Sequence, residues 1–471
     1  MNARQISPGI NTVEAACELL QGELRGDGKT ISFSGISTDT REVVPGQLFV
    51  ALSGPHFDGH DFVAYAVQKG AVAVVVTQPV DTVVPQIIVS DSQRAYAQLA
   101  ANWRQQFAIP LIAVTGSNGK TTVKEMLAAI MSCKGSVLAT QANFNNEVGV
   151  PRTLLALRAE HVAAVVEEGA SGPGDIAYLT AFVQPTVAIV TNAAGAHLEG
   201  FGSVDVVAKT KGEIFENLAA NGVAIINADD VFAGLWQAQA EPRTIVRFSL
   251  SAEAEGDAGV DAEVRGVLIT DGTLDGTLQI FTPAGEVQVT LPLEGRHNAA
   301  NALAATAAAL AAGASLANVK TGLESMKPVS GRLQRKAGIH GAQIIDDTYN
   351  ANPASLNAAL DVLAQCRGDH YLALGDMAEL GAKAVEYHQQ AGYQARKTGV
   401  SRLYAVGEYS LYAVQAFGEH GEHFAAQDEL ISHLQEDLHE DVTLLVKGSR
   451  SAQMENVVTA LSVAGAVEGI N

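Results

Sequence analysis

The sequence predicts an α/β protein of three domains: a small N-terminal α/β domain, a central domain built on a P-loop-type, mostly parallel sheet with an antiparallel extension, and a C-terminal Rossmann-like doubly wound domain. Three observations predict it. Short apolar runs of strand length alternate with segments of helical periodicity along most of the chain. One such run, residues 111–114, breaks at Thr115-Gly116 into a glycine loop that opens a helix near Lys120. At 471 residues the chain also exceeds what one hydrophobic core sustains.

The first domain, 1–88, carries helical patterns over 12–24 and 61–69 and strand patterns over 47–52, 71–76 and 86–89. Two polar loops lie between them, Ser37-Thr38-Asp39-Thr40-Arg41 and residues 53–60. Such loops can meet a sugar nucleotide, with hydroxyls and Asp39 on base or ribose and Arg41 on phosphate. Taken alone, the STDT run favours a turn or a helix cap.

The second domain, 89–327, begins with an amphipathic helix over 92–107 and then reads LIAVTGSNGKTT at 111–122. In a strand–loop–helix setting, Gly116, Ser117, Asn118 and Gly119 let backbone N–H groups converge on an anion at a helix N-terminus. Lys120 adds a point charge, Thr121 offers a hydroxyl to a metal, and Thr122 continues the helix. The expected ligand is a nucleoside triphosphate, ATP or GTP, with Mg²⁺. The loop is a shortened variant, because Val114 stands where the common motif has its first glycine.

Alternation continues with helices over 122–131, 150–157 and 175–182 and strands over 136–140, 161–167 and 186–191. A parallel sheet places ligands at the carboxyl ends of its strands. Two further strand ends carry chemistry there: Val166 runs into Glu167-Glu168-Gly169, and Val190 into Thr191-Asn192 and then His197. Thr121 and Glu167 are natural Mg²⁺ ligands, whereas His197 fits a second site or Mn²⁺ better. On a helix expected over 204–218, Val207, Lys211, Phe215 and Leu218 share the apolar stripe, while Lys209 shares a face with Asp205 and Glu213. Lys211 is thus the buried lysine: a nucleophile, a base, a carbamate after reaction with CO₂, or a snorkelling side chain. Short alternating strands over 257–293 read as antiparallel hairpins. Arg296, His297 and Asn298 then open an Ala-rich helix as exposed donors for adenine or phosphate.

The third domain, 328–471, repeats the alternation, with strands over 343–345, 371–374, 402–406 and 442–446 ending in Asp346-Asp347, Gly375-Asp376, Gly407 and Lys447-Gly448-Ser449-Arg450. It has no GxGxxG, so a dinucleotide is not indicated.

Composition limits the partners. Fifty-one acidic against thirty basic residues give a formal charge of -21, which repels nucleic acid and anionic membranes. Apolar runs are shorter than a membrane span, and the N-terminal segment lacks a signal core, so no membrane insertion is expected. Three cysteines, Cys17, Cys133 and Cys366, are too few and too far apart for a disulfide framework, as a reducing cytoplasm would have it.

Ten strings, in order across all three domains, resemble the Mur ligase family: TGSNGKTT, NFNNEVGVP, VVEEGASGPGDI, TNAAGAHLEGFGS, KGEIF, GRHNAANALAA, SGR, IIDDTYNANPAS, LGDMAELG and VKGSR. NFNNEVGVP, HLEGFGS and DDTYNANPAS look specific to the branch that joins D-alanyl-D-alanine to UDP-N-acetylmuramoyl-tripeptide, and the DNPR string of the diaminopimelate-adding branch is absent. The resemblance implies an ATP-dependent amide ligase of peptidoglycan precursor synthesis, monomeric, in which the third domain swings inward to complete the site. It implies that Ser37, Asp39 and Arg41 hold the UDP end of the substrate, reversing the preference for a simple turn. Residues 116–122 with Asn298, Arg332 and Asp347 would hold ATP. Thr121 and Glu167 would hold one Mg²⁺ and His197 a second, and Lys211 would match a lysine carbamylated in the family. Asn145, Asn146, Asn350, Asn352, Lys447, Ser449 and Arg450 would meet the substrates, and Lys120, His197 and Lys211 would be catalytic.

One departure stands out: the family pattern has a single Glu before an apolar residue and Gly-Ala, where this chain has Glu167-Glu168. Strand alternation puts the two side chains on opposite faces, so only one can reach the metal. Two rival readings are another ligase of the family such as a folylpolyglutamate synthase, which lacks the first domain, and a non-catalytic ATP-dependent switch.

Overall fold

The computed structural model describes residues 10–54, 57–251, 261–269 and 276–463. The first nine residues, Pro55 and His56 of the second polar loop, and the start of the expected hairpin region at Asp257 lie outside them. Among the described residues the chain forms sheets of five, nine and six strands and one two-stranded ribbon.

The nine-stranded central sheet positions the site. Its parallel part runs, in spatial order, Ser136–Ala139, His161–Glu167, Leu111–Thr115, Val187–Val190, Val223–Asn227, Thr244–Ser251 and Val264–Ile269. Gly276–Thr282 and Gly285–Leu291 continue it as an antiparallel edge. Two expectations are corrected here. Thr244–Ser251, unforeseen as a strand, extends the parallel part, and Val264–Ile269 pairs with it in parallel, so the antiparallel set begins only at the next strand.

Burial on both faces explains the apolar runs. Ile112 and Val114 pack into one core, and Leu111 and Ala113 into the other. Likewise Ala163 and Val165 face the first core, and Ala164 and Val166 the second. The same alternation sends Glu167 toward the first core and Glu168 toward the second.

Helix Lys120–Ser132 buries Val123, Met126, Leu127, Ile130 and Met131, the i, i+3, i+4, i+7, i+8 stripe of an amphipathic helix. Against it lie the Ala-rich helix Arg296–Ala311 and the helix Leu316–Glu324. On the other face, the helix expected over 204–218 is shorter. It ends at Gly212 and tightens into a 3₁₀ turn over Glu213–Phe215, as a glycine in a helix interior permits.

The N-terminal sheet, ordered Glu23–Arg25, Gln86–Ile88, Ala73–Val76, Leu48–Val50, Ile36–Ser37, is parallel apart from its first strand. Helix Ser92–Arg104, capped by the Asp91 carboxylate, joins it to the central body: Ala95, Tyr96 and Leu99 belong to the core of the N-terminal domain and Ala100 to the second core of the central sheet. The C-terminal sheet is parallel from Gln343–Asp347 through Val442–Lys447, Asp369–Gly375 and Arg402–Val406 to Gly421–Phe424, with Gln334–Ala337 as an antiparallel edge.

Gly322 brings helix Leu316–Glu324 close enough to the phosphate-loop helix that an added Cβ would stand 2.4 Å from the Ile130 Cα. Helix propensity alone favours alanine by about 1 kcal/mol. Gly322→Ala is nonetheless expected to lower the unfolding free energy by about 1–3 kcal/mol through overpacking, measured by urea denaturation.

Candidate active site between the central and C-terminal sheets

The fully buried strand Leu111–Thr115 ends in a loop that only glycine permits at two positions. Gly116 has φ +148°, and a Cβ there would meet the Thr191 Oγ1 at 1.9 Å. Gly119, at φ +81°, would meet the Asn301 Oδ1 at 2.3 Å. The loop is fastened to the neighbouring strand end. Ser117 N donates to Asn192 O (3.0 Å), Asn118 N to Asn192 Oδ1 (3.0 Å), and Thr191 Oγ1 to Asn118 O (2.7 Å). Lys120 Nζ donates to Gly116 O (2.8 Å), and burial holds its ammonium below the usual lysine range against the opposing pull of Glu167. Free N–H groups at the start of a 13-residue helix, a lysine and a fixed loop make an anion cradle.

Glu167, 2% exposed, faces this cradle from the next strand. Thr121 Oγ1 donates to its Oε2 and Asn145 Nδ2 to its Oε1, both at 2.9 Å. Among the described residues no three His, Cys, Asp or Glu side chains form a preformed metal cage. A hydroxyl and a carboxylate beside a phosphate cradle are what Mg²⁺ takes when substrate phosphates and water fill its other positions. The residues present therefore fit Mg²⁺. The Asn146 Oδ1 instead accepts from the N–H of Gly149 (2.9 Å), the first residue of helix Gly149–Leu155.

Glu168 and Lys211 lie on the opposite face and do not line the cavity. Glu168 is 0% exposed, and neither carboxylate oxygen has a hydrogen-bond partner among the described residues. Burial raises its pKa well above the carboxylate range, with only the charge of Lys211 opposing. Lys211, 2% exposed, sits 5.6 Å from the Phe201 ring centroid. Burial, reinforced by the charge of Lys120, brings its pKa down to about 7.

The C-terminal sheet supplies the opposite wall. Arg332 Nη2 donates to Thr121 Oγ1 (3.0 Å), and its guanidinium stacks 4.2 Å from the Tyr349 ring centroid. Asn352 caps helix Pro353–Leu363 with its Oδ1 while its Nδ2 donates to Asn118 Oδ1 (2.8 Å). Lys447 pairs with Asp347, its neighbour in the parallel register, and donates to Asn350 O (2.9 Å). Together these walls enclose a cavity of about 1380 Å³, more than one small-molecule site needs.

Residues 116–122 of the loop, Glu167, Asn145, Asn146, His197, Asn298, Arg332, Asp347, Asn350, Asn352, Lys447, Ser449 and Arg450 are brought together around that cavity, apart from Gly116, which underlies it. Asn298 is not the exposed donor expected. It is buried, its Nδ2 on Glu294 O (2.8 Å) and its Oδ1 accepting from Asn301 (3.2 Å), because the helix start is covered by the loop before it. Ser449 is buried, and Arg450 is exposed and paired with Glu455. Ser37, Asp39 and Arg41 lie outside the cavity. They form a local turn, with Ser37 Oγ on Asp39 O (3.0 Å) and the Arg41 guanidinium on the Asp39 carboxylate, which this holds below its usual pKa.

Sequence reasoning missed Glu379. It lies in the LGDMAELG string, and its carboxylate makes an ion-pair contact with the His197 Nδ1. No periodicity in the sequence reveals a contact between residues this far apart.

Models of the Mur ligase middle domain, of the Mur ligase glutamate ligase domain and of the Mur ligase family catalytic domain match residues 114–309, 331–450 and 32–105. The UDP-N-acetylmuramoyl-tripeptide–D-alanyl-D-alanine ligase of Escherichia coli K12 is 46% identical over 456 residues, 96% of this chain and 99% of the relative. The chain belongs to the Mur ligase family. A crystal structure of MurF from Acinetobacter baumannii superposes on this Mur ligase with a TM-score of 0.88 at 35% identity, covering 96% of this chain and 99% of that one. MurF ligase from Thermotoga maritima, solved in complex with ADP, does so with a TM-score of 0.77 at 26% identity, covering 90% and 96%. Among the described residues of this Mur ligase no helix is long and apolar enough to cross a membrane.

Glu168 binds its proton more tightly folded than unfolded, so its contribution to stability falls as pH rises from the unfolded carboxylate pKa through the raised folded one. Glu168→Leu is accordingly expected to raise thermal stability, by about 1–3 kcal/mol for removal of an unsatisfied buried polar group. The gain in Tm should be larger at pH 8 than at pH 5.

Proposed function

We propose that this chain joins D-alanyl-D-alanine to UDP-N-acetylmuramoyl-tripeptide with ATP, releasing ADP and phosphate, in peptidoglycan precursor synthesis. One observation carries the reading: Thr121 of the phosphate loop, Glu167 of the adjacent strand and Arg332 of the C-terminal sheet are hydrogen-bonded in series on one cavity. The likeness to the E. coli ligase of that name supports the substrates, and the ADP complex of the Thermotoga relative supports the nucleotide.

In this reading the tripeptide's terminal carboxylate attacks the γ-phosphorus and ADP departs. The amine of D-alanyl-D-alanine then attacks the acyl carbon of the acyl phosphate and phosphate leaves as the amine loses its proton. Residues 116–122 cradle the phosphates, and Lys120 and Arg332 offset charge on the oxygens of the transferring group. Thr121 and Glu167 would hold one Mg²⁺ and His197 a second, and these ions would supply Lewis-acid polarisation of the phosphoryl oxygens. Asn298 and Asp347 complete the ATP site. Asn145, Asn146, Asn350, Asn352, Lys447, Ser449 and Arg450 order the peptide and amine ends, and Ser37, Asp39 and Arg41 take the UDP end. The units of function are 1–88, 89–327 and 328–471. The enzyme works as a cytoplasmic monomer.

Lys211 in this reading carries a carbamate. A lysine amine adds CO₂ only when neutral, and a pKa of about 7 leaves it largely neutral at mildly alkaline pH.

Lys120→Ala is expected to abolish ADP release that depends on the tripeptide, and retained turnover would refute the phosphate-loop role. With ¹³C-bicarbonate, a carbamate resonance should appear above pH 7, fade as pH falls and Lys211 protonates, and be absent from Lys211→Ala, whose activity excess bicarbonate should barely restore.

A further inference from the structure

His197 and Glu379 come from different sheets, and both adopt left-handed backbone, at φ +54° and +60°. Side chains rarely accept that conformation without local reason. The contact between them has two parts: the Glu379 carboxylate on the His197 Nδ1, and the Glu379 carbonyl accepting from Glu199 N at 3.1 Å. The Nδ1 atom is sealed from solvent and has no hydrogen-bond partner among the described residues, so the Glu379 carboxylate meets it as an ion-pair contact, while the imidazole itself borders the cavity.

The loop that presents Glu379 is fastened to the C-terminal core. Met377 and Leu380 on either side are buried in the C-terminal core. Met377 N donates to the Nε2 of the wholly buried His388 (3.0 Å), whose Nδ1 bonds Ala384 O (2.7 Å). The Asp376 carboxylate gathers the backbone N–H groups of Glu408, Tyr409 and Ser410 at 2.7–3.0 Å. Such fastening fixes where the neighbouring carboxylate stands.

A metal-bound histidine commonly has its other ring nitrogen held by a carboxylate, which sets tautomer and ring orientation. We propose that Glu379 is the positioning residue for His197, supplied across the domain interface, so that Nε2 is presented to a divalent cation at the phosphate end of the cavity only while the C-terminal domain is docked. The proposal rests on the reading of His197 as a cation ligand. It makes completion of the second cation site a consequence of domain docking, without a separate signal.

Mn²⁺ titrated into the full chain with a non-hydrolysable ATP analogue, and counted by electron paramagnetic resonance, tests both layers. Wild type is expected to bind two ions and His197→Ala one. Glu379→Ala should weaken the second ion about 10- to 100-fold, while Glu379→Gln, which keeps an acceptor for Nδ1–H, should retain most of the affinity. In turnover, Glu379→Ala should raise the KM for Mg²⁺ and recover much of its kcat at saturating metal. If His197→Ala still binds two ions, the ligand reading fails. If His197→Ala loses one ion but Glu379→Ala stays within twofold of wild type, the ligand reading stands and the positioning proposal is overturned, leaving the contact as a domain latch alone.

Discussion

Glu167 carries its carboxylate into the protein at a strand end where the central sheet gives it partners. The parallel register sets Glu167 opposite Val114, so the carboxylate emerges beside the start of the phosphate loop. There the Thr121 hydroxyl and the Asn145 amide take one oxygen each, with Lys120 near enough to interact by charge. A buried carboxylate without such partners would cost several kcal/mol or neutralise. Its neighbour shows that outcome: Glu168, sent to the other face by strand alternation, finds no donor and is driven toward its neutral form. Two adjacent residues of one type thus acquire different surroundings, one with donors at its carboxylate and one without.

The site is consequently layered. On the cavity side are the phosphate loop, Glu167 and the polar wall of the C-terminal sheet. Behind it Glu168 and Lys211 are buried, on the side of the sheet whose core holds Val166, Ala208 and Phe215. A lysine placed there has its amine free of a proton more readily than one in water. The Asp347–Lys447 pair does for the C-terminal sheet what Glu167 and Thr121 do for the central one. Neighbours in a parallel register, they mask each other's charge at a strand end that faces the cavity.

Much of this was legible from the residues. Apolar runs buried on both faces gave the parallel strands, including 161–167 with its end at Glu167 as observed. The i, i+4, i+8 spacing of Val207, Lys211 and Phe215 gave the buried face of the helix that holds the lysine. What escaped has physical causes. Strand Thr244–Ser251 mixes Arg247 and Ser249 with its apolar residues, so neither a continuous nor a clean alternating pattern marks it. Asn298 looks solvent-facing at a helix start because sequence does not show the loop that covers it. Ser37, Asp39 and Arg41 satisfy one another within five residues, the arrangement that the residues alone favoured. The encounter of Glu379 with His197 depends on how two sheets dock, which no local pattern encodes.

Two contacts across the interface fall on groups that belong to the phosphate loop. Arg332 grips the Thr121 hydroxyl and Asn352 grips the Asn118 side chain. A triphosphate and its cation entering the cradle would compete for that hydroxyl, so nucleotide loading trades one set of bonds for another. Turnover then resembles a hand-off between rival claimants to one hydroxyl.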